Sequence, residues 1–180
     1  MSKKFKMNRK MYLVLFILLI VSLFVAIKNI NAQTHVESKS FDLMLSTLLS
    51  HSAKEVGVAD VANDTVSIFL DAREKKEFDI SHIQNAIWVG YEDFDTSRLK
   101  NITRDEKIIV YCSVGYRSEK IAEKLVASGY TNVVNLYGGI FEWVNQDKPV
   151  VDLTENKTEL VHAYSKKWGI WLNEGVKVYE

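Results

Sequence analysis

Four short apolar runs rich in β-formers recur along the chain with helical stretches between them. They are Val66–Leu70, closed by Asp71; Ala86–Val89, ended by Gly90; Lys107–Tyr111; and Val133–Leu136. Strands that are apolar on both faces and separated by helices need a parallel sheet covered on both sides. The clearest intervening helix is predicted over Ser118–Ser128. Ile121, Ala122, Leu125 and Val126 face inward and Gly129 is its stop. A helix is also predicted over Phe41–Ser52, with Phe41, Met44, Leu45, Leu48 and Leu49 on one side. Past Pro149, Leu160, Tyr164, Trp168, Trp171 and Leu172 recur at helical spacing, with Lys166, Lys167 and Asn173 off that face. This predicts an amphipathic helix within residues 151–180 that packs on the domain, lids a site, or meets a membrane or partner.

The N-terminal segment is different in kind. Residues 11–27 carry no charge, and as a helix they would be about 26 Å long, near the lower limit for a bilayer span. Lys3, Lys4, Lys6, Arg9 and Lys10 precede the run, and only Lys28 follows it closely. The positive-inside rule places residues 1–10 in the cytoplasm and the body on the extracytoplasmic side. Residues 11–30 are therefore a transmembrane anchor, favoured by the length of the run, or a secretory signal cleaved after Ile30-Asn31-Ala32. Residues 31–40 are a polar tether to a domain at 41–150.

The formal net charge is zero, but residues 1–32 hold six of the 23 basic residues and no acid. The remainder has 17 basic against 23 acidic, a net of −6, which argues against nucleic acid as a partner. A single cysteine excludes an internal disulfide and multi-cysteine zinc or iron–sulfur sites. The four histidines show no metal-ligand spacing.

That cysteine sits where chemistry is expected. The strand at 107–111 runs into Cys112-Ser113-Val114-Gly115-Tyr116-Arg117-Ser118, where a helix begins. Ligands of open α/β sheets bind at the carboxyl ends of strands. A helix N-terminus offers unpaired N–H groups and a partial positive charge, which favour a thiolate. Gly115 permits a backbone curl that aims N–H groups at one spot. With Arg117, these residues form an anion cradle with a nucleophile at its floor; Tyr116 shapes the entrance.

Asp71-Ala72-Arg73-Glu74, Glu77-Phe78, Ser81-His82-Ile83 and Asn85-Ala86-Ile87 resemble the first signature of rhodanese-type sulfurtransferases. Val110-Tyr111-Cys112 with Gly115, Arg117 and Ser118 resembles their active-site loop, and Asn135–Ile140 with Trp143 their second signature. The three blocks occur in order over residues 60–150. The resemblance implies a five-stranded parallel sheet flanked by helices. It also implies a reaction without metal or cofactor: Cys112 takes a sulfane sulfur from a small anionic donor such as thiosulfate, becomes a persulfide, and passes the sulfur to cyanide, a thiol or a protein cysteine. Arg117 and the amides of Ser113, Val114, Gly115, Tyr116 and Ser118 hold the donor. Asp71, Arg73 and Glu74 are expected to form ion pairs at the strand end, His82 to pack, Gly138 and Gly139 to turn tightly near the loop, and Trp143 to lie in the core. A non-catalytic sulfur- or partner-binding module is the rival. Cysteine phosphatases and arsenate reductases on a similar fold carry five residues between Cys and Arg, where this loop has four.

Overall fold

A computed structural model describes residues 36–180 together with Arg9, Tyr12, Val14, Phe16 and Ile17. The chain divides into two units, Met1–Gln33 and Thr34–Glu180. In the first, the five described residues are helical. The rest of the expected span at 11–27 lies outside the described residues. Among the described residues, no helix is long and apolar enough to cross a membrane.

The second unit is built on a five-stranded sheet in the order β1-β5-β4-β2-β3, parallel at every pairing. Its strands are β1 (Glu55–Val56), β2 (Ile68–Asp71), β3 (Ile87–Trp88), β4 (Ile108–Tyr111) and β5 (Val133–Leu136). Four of them fall on the apolar runs. β1 carries no apolar run and lies at the sheet edge against β5. The pleat divides the core: along β4, Ile109 and Tyr111 join one buried cluster, while Ile108, Val110 and Cys112 join the other. Period-two alternation thus points the cysteine side chain toward the face covered by the helix that follows it.

Five helices accompany the sheet: α1 (Lys39–Leu48), α2 (Val58–Val61), α3 (Lys75–Ile80), α4 (Tyr116–Ala127) and α5 (Gly139–Asn145). α1 stops before the expected Ser52 because another partner claims its continuation. The N–H groups of Ser50 and Ser52 donate to the buried Glu119 carboxylate on α4, each at 3.1 Å. Half of the predicted tether belongs to the fold, since Val36 is buried and the Glu37 N–H donates to Glu142 Oε1 at 2.8 Å. On α4, Ile121, Ala122 and Leu125 are buried as expected, but Val126 is 55% exposed. One residue past Leu125, it is turned roughly 100° around the helix axis.

The C-terminal segment is not the expected amphipathic helix. It forms a hairpin of β6 (Val150–Val151) with β7 (Lys157–Thr158), then a parallel pair of β8 (Leu160–His162) with β9 (Val176–Val178). A 3-10 turn at Gly169–Trp171 lies between β8 and β9. The left-handed backbone of Tyr164 (φ 61°) interrupts any helix there. The segment is firmly docked. Trp171 stacks on Phe41 at 5.4 Å, Leu172 is buried, and the Asn145 side chain bonds both Trp171 O and the Asn173 N–H.

Candidate active site

Cys112 lies directly after β4 and is 1% exposed. The loop behind it is pinned from two directions. Ile140 N–H donates to Cys112 O at 2.8 Å and Phe141 N–H to Ser113 O at 3.1 Å, so the start of α5 holds the loop backbone. Gly139 makes that approach possible, because a Cβ there would meet Cys112 O at 2.4 Å. On the other side, Ser118 Oγ donates to Asn135 Oδ1 at 2.7 Å, and Asn135 Nδ2 donates to Gly115 O at 3.0 Å. Gly115 caps α4 with φ 119°, a left-handed conformation that favours glycine, and its N–H points at Cys112 Sγ at 3.2 Å. The curl expected of Gly115 is therefore present, with a donor aimed at the sulfur.

Arg117 does not stand as an open anion receptor. Its Nη1 and Nη2 donate to the two Glu77 carboxylate oxygens at 2.6 and 2.8 Å, and Nη2 also donates to Ser113 Oγ at 3.0 Å. Glu74 adds a looser ion pair at 4.0 Å, and the Tyr164 ring lies 5.1 Å from the guanidinium. The partner of Arg117 in this structure is Glu77 on α3. Burial works to raise the Glu77 carboxyl, but the Arg117 hydrogen bonds and the charges of Arg117 and Arg73 hold it below the usual range. Glu77 was visible in the sequence only within the first signature, without a role. Its spacing from Glu74 is that of a helix capping pair, and the Glu74 N–H does donate to Glu77 Oε2 at 3.0 Å.

The remaining expected residues support the loop from behind. Asp71 and Arg73 form a buried pair at 2.6 Å, and Arg73 also donates to Ser81 O at 2.6 Å. His82 stacks on Phe78 at 3.9 Å and its Nδ1 lies 3.1 Å from Phe78 O. Gly138 (φ 82°) and Gly139 (φ 58°) form the tight turn before α5, and Trp143 is buried.

In front of the cysteine is a cleft of about 510 Å³. Cys112, Ser113, Val114 and Arg117 form its floor, with Tyr116, which is 42% exposed, at the rim. Its walls include Leu48 of α1, Tyr91, and Tyr164 and Trp168 from the C-terminal segment, with Glu74 and Glu92 as acidic groups. The sequence placed Tyr164 and Trp168 on a helix face; the structure puts both beside the cysteine.

Among known proteins, curated relatives are tRNA uridine(34) hydroxylases. That of Pectobacterium carotovorum is 31% identical over 93 residues, 49% of this chain and 26% of the relative. That of Yersinia enterocolitica is 27% identical over 118 residues, 63% of this chain and 33% of the relative. The chain thus spans a third or less of these relatives. Two solved structures share the fold. A rhodanese-like domain from Anabaena sp. has a TM-score of 0.52 at 19% identity, covering 58% of this chain and 83% of that one. A Bacillus halodurans protein has a TM-score of 0.51 at 22% identity, covering 63% and 85%. Residues 55–146 match the family model described as a rhodanese-like domain, and they contain all five sheet strands and the Cys112 loop. With a little over half of its length inside that match, the chain belongs to the rhodanese-like domain family.

Proposed function

We propose that this protein is a sulfurtransferase that works through a persulfide on Cys112. The observation that carries the proposal is Cys112 Sγ at the floor of an open cleft with the Gly115 N–H aimed at it from 3.2 Å. In the first half-reaction the Cys112 thiolate attacks the outer sulfur of thiosulfate or of a persulfide. The donor S–S bond breaks, and sulfite or a thiolate leaves with its electron pair. The loop N–H groups stabilise the charge on the resulting persulfide. In the second, an acceptor thiolate attacks the terminal sulfur and Cys112 leaves as thiolate. Sulfane sulfur is moved with no net oxidation, and none of these steps calls for a cofactor.

The net charge of −6 over residues 33–180 supports a small thiol or a protein cysteine as acceptor over the tRNA in the relatives' name. The uncharged run at 11–27 and the basic residues before it support a membrane-tethered protein with this domain on the extracytoplasmic side.

The test is mass spectrometry after incubation with polysulfide. Wild type is expected to gain one sulfur atom at Cys112, and Cys112→Ser to gain none while keeping its melting temperature. A full-length Cys112 that takes up no sulfur would leave a binding module as the better account.

A further inference from the structure

We infer that the cleft above Cys112 selects uncharged or cationic thiols and persulfides with an apolar body over anionic ones. This rests on the sulfur-transfer reading of Cys112 and names the substrate class of that site. Among the described residues that line the cleft, Arg117 is the only cation, and its charge is spent on Glu77 through two hydrogen bonds. The other charged lining groups are both carboxylates, Glu92 and Glu74, the latter 4.0 Å from Arg117 Nη1, so with Glu77 three carboxylates stand against one guanidinium. Anions approaching the sulfur therefore meet two carboxylates and no free guanidinium.

Size and surface point the same way. A volume of about 510 Å³ falls in the range of sites for drug-sized ligands, and an ion as small as thiosulfate leaves most of it empty. Leu48, Tyr91, Tyr116, Tyr164 and Trp168 give it aliphatic and aromatic walls. Aromatic faces bind apolar groups and cations alike. Tyr164 and Trp168 lie beyond residue 146, where the family match ends, so this part of the aromatic wall comes from the C-terminal segment and not from the shared domain.

The transfer keeps its balance with any thiol. R–S⁻ attacks the terminal sulfur of the Cys112 persulfide, the new S–S bond forms as the old one breaks, and R–S–S⁻ leaves a Cys112 thiolate behind.

The experiment loads the full-length protein with excess polysulfide, removes the excess, and chases with matched thiols. Each rate is divided by that of the same thiol with a free small-molecule persulfide. Cysteamine is expected to exceed mercaptopropionate by about tenfold or more at low salt, and phenylethanethiol to exceed ethanethiol. The double variant Glu74→Gln with Glu92→Gln should shrink the charge preference, and Trp168→Ala the aromatic one. Equal rates for cysteamine and mercaptopropionate, or a charge preference that survives the double variant, would overturn the inference while leaving sulfur transfer intact. Failure to load Cys112 at all would instead remove the sulfur-transfer reading, and this inference with it.

Discussion

The pair between Glu77 and Arg117 shows what can and cannot be read from single residues. Cys112, Gly115 and Arg117 stand out in the sequence because their spacing at a strand-to-helix turn has a chemical meaning. Glu77 does not, because its partner is 40 residues away and only the fold brings them together. The Glu77 side chain is 1% exposed and that of Arg117 13%. Removing one partner of so buried a pair leaves the other charge without compensation, at a typical cost of about 3 kcal/mol. Glu77→Gln is therefore expected to lower the unfolding free energy by about that amount, measured by denaturant titration. It should also release Arg117 toward the cleft, so the surviving folded protein should react with thiosulfate faster than wild type does. An unchanged stability would mean that the pair is incidental. Acid acts on the same contact. The folded Glu77 value lies below the ordinary 4.5, so its stabilisation is present above that pH and is lost as pH falls through the folded value.

At the scale of elements, the strands that lie within apolar runs rich in β-formers declared themselves, the two-residue β3 among them. The two-residue β1 did not, since neither Glu55 nor Val56 is fully buried and the alternation has no length in which to appear. The C-terminal segment misled for a different reason. Its aromatics do recur at helical intervals, but Tyr164 and Trp168 face the cleft, Trp171 stacks on α1, and Leu160 begins a strand. Val161, Val176 and Val178, with Gly169 and Gly175, were the signals for short strands and turns. His162 on β8 gives this segment a pH response. It is 1% exposed, and its Nδ1 accepts from the Tyr164 N–H at 3.2 Å. Burial lowers its pKa from 6.5, with help from the charges of Lys76, Arg73 and Arg117 and against that of Glu77. The unfolded chain thus takes up a proton that the folded one resists, and stability falls as pH drops below about 6.5. His51, raised by its hydrogen bond to Glu55, works with the opposite sign in the same window. Melting temperatures between pH 7 and 5 should therefore fall more steeply in wild type than in His162→Gln. Parallel profiles would show that His162 takes up its proton equally in both states.

Over the whole molecule, charge segregation and fold divide the chain at the same place, near residue 33. If the proposed tether is real, the full chain should sediment with membranes and resist carbonate extraction; recovery of a soluble form beginning near Gln33 would mark a cleaved signal instead. The sheet and its cysteine loop were legible because they lie in one stretch with strong local signals. The cleft was not, because its walls come from α1, the Tyr91 loop and the segment after Pro149. That last contribution has a consequence for biosynthesis. Chains are made from the N-terminus, and domains begin to fold as they emerge. Residues 55–146 hold every strand of the sheet, whereas Tyr164 and Trp168 are held by a parallel pair that closes only when Val176–Val178 arrives. For the interval of translation between them, the nascent polypeptide carries a formed cysteine loop with one wall missing, open to any thiol or oxidant in its surroundings.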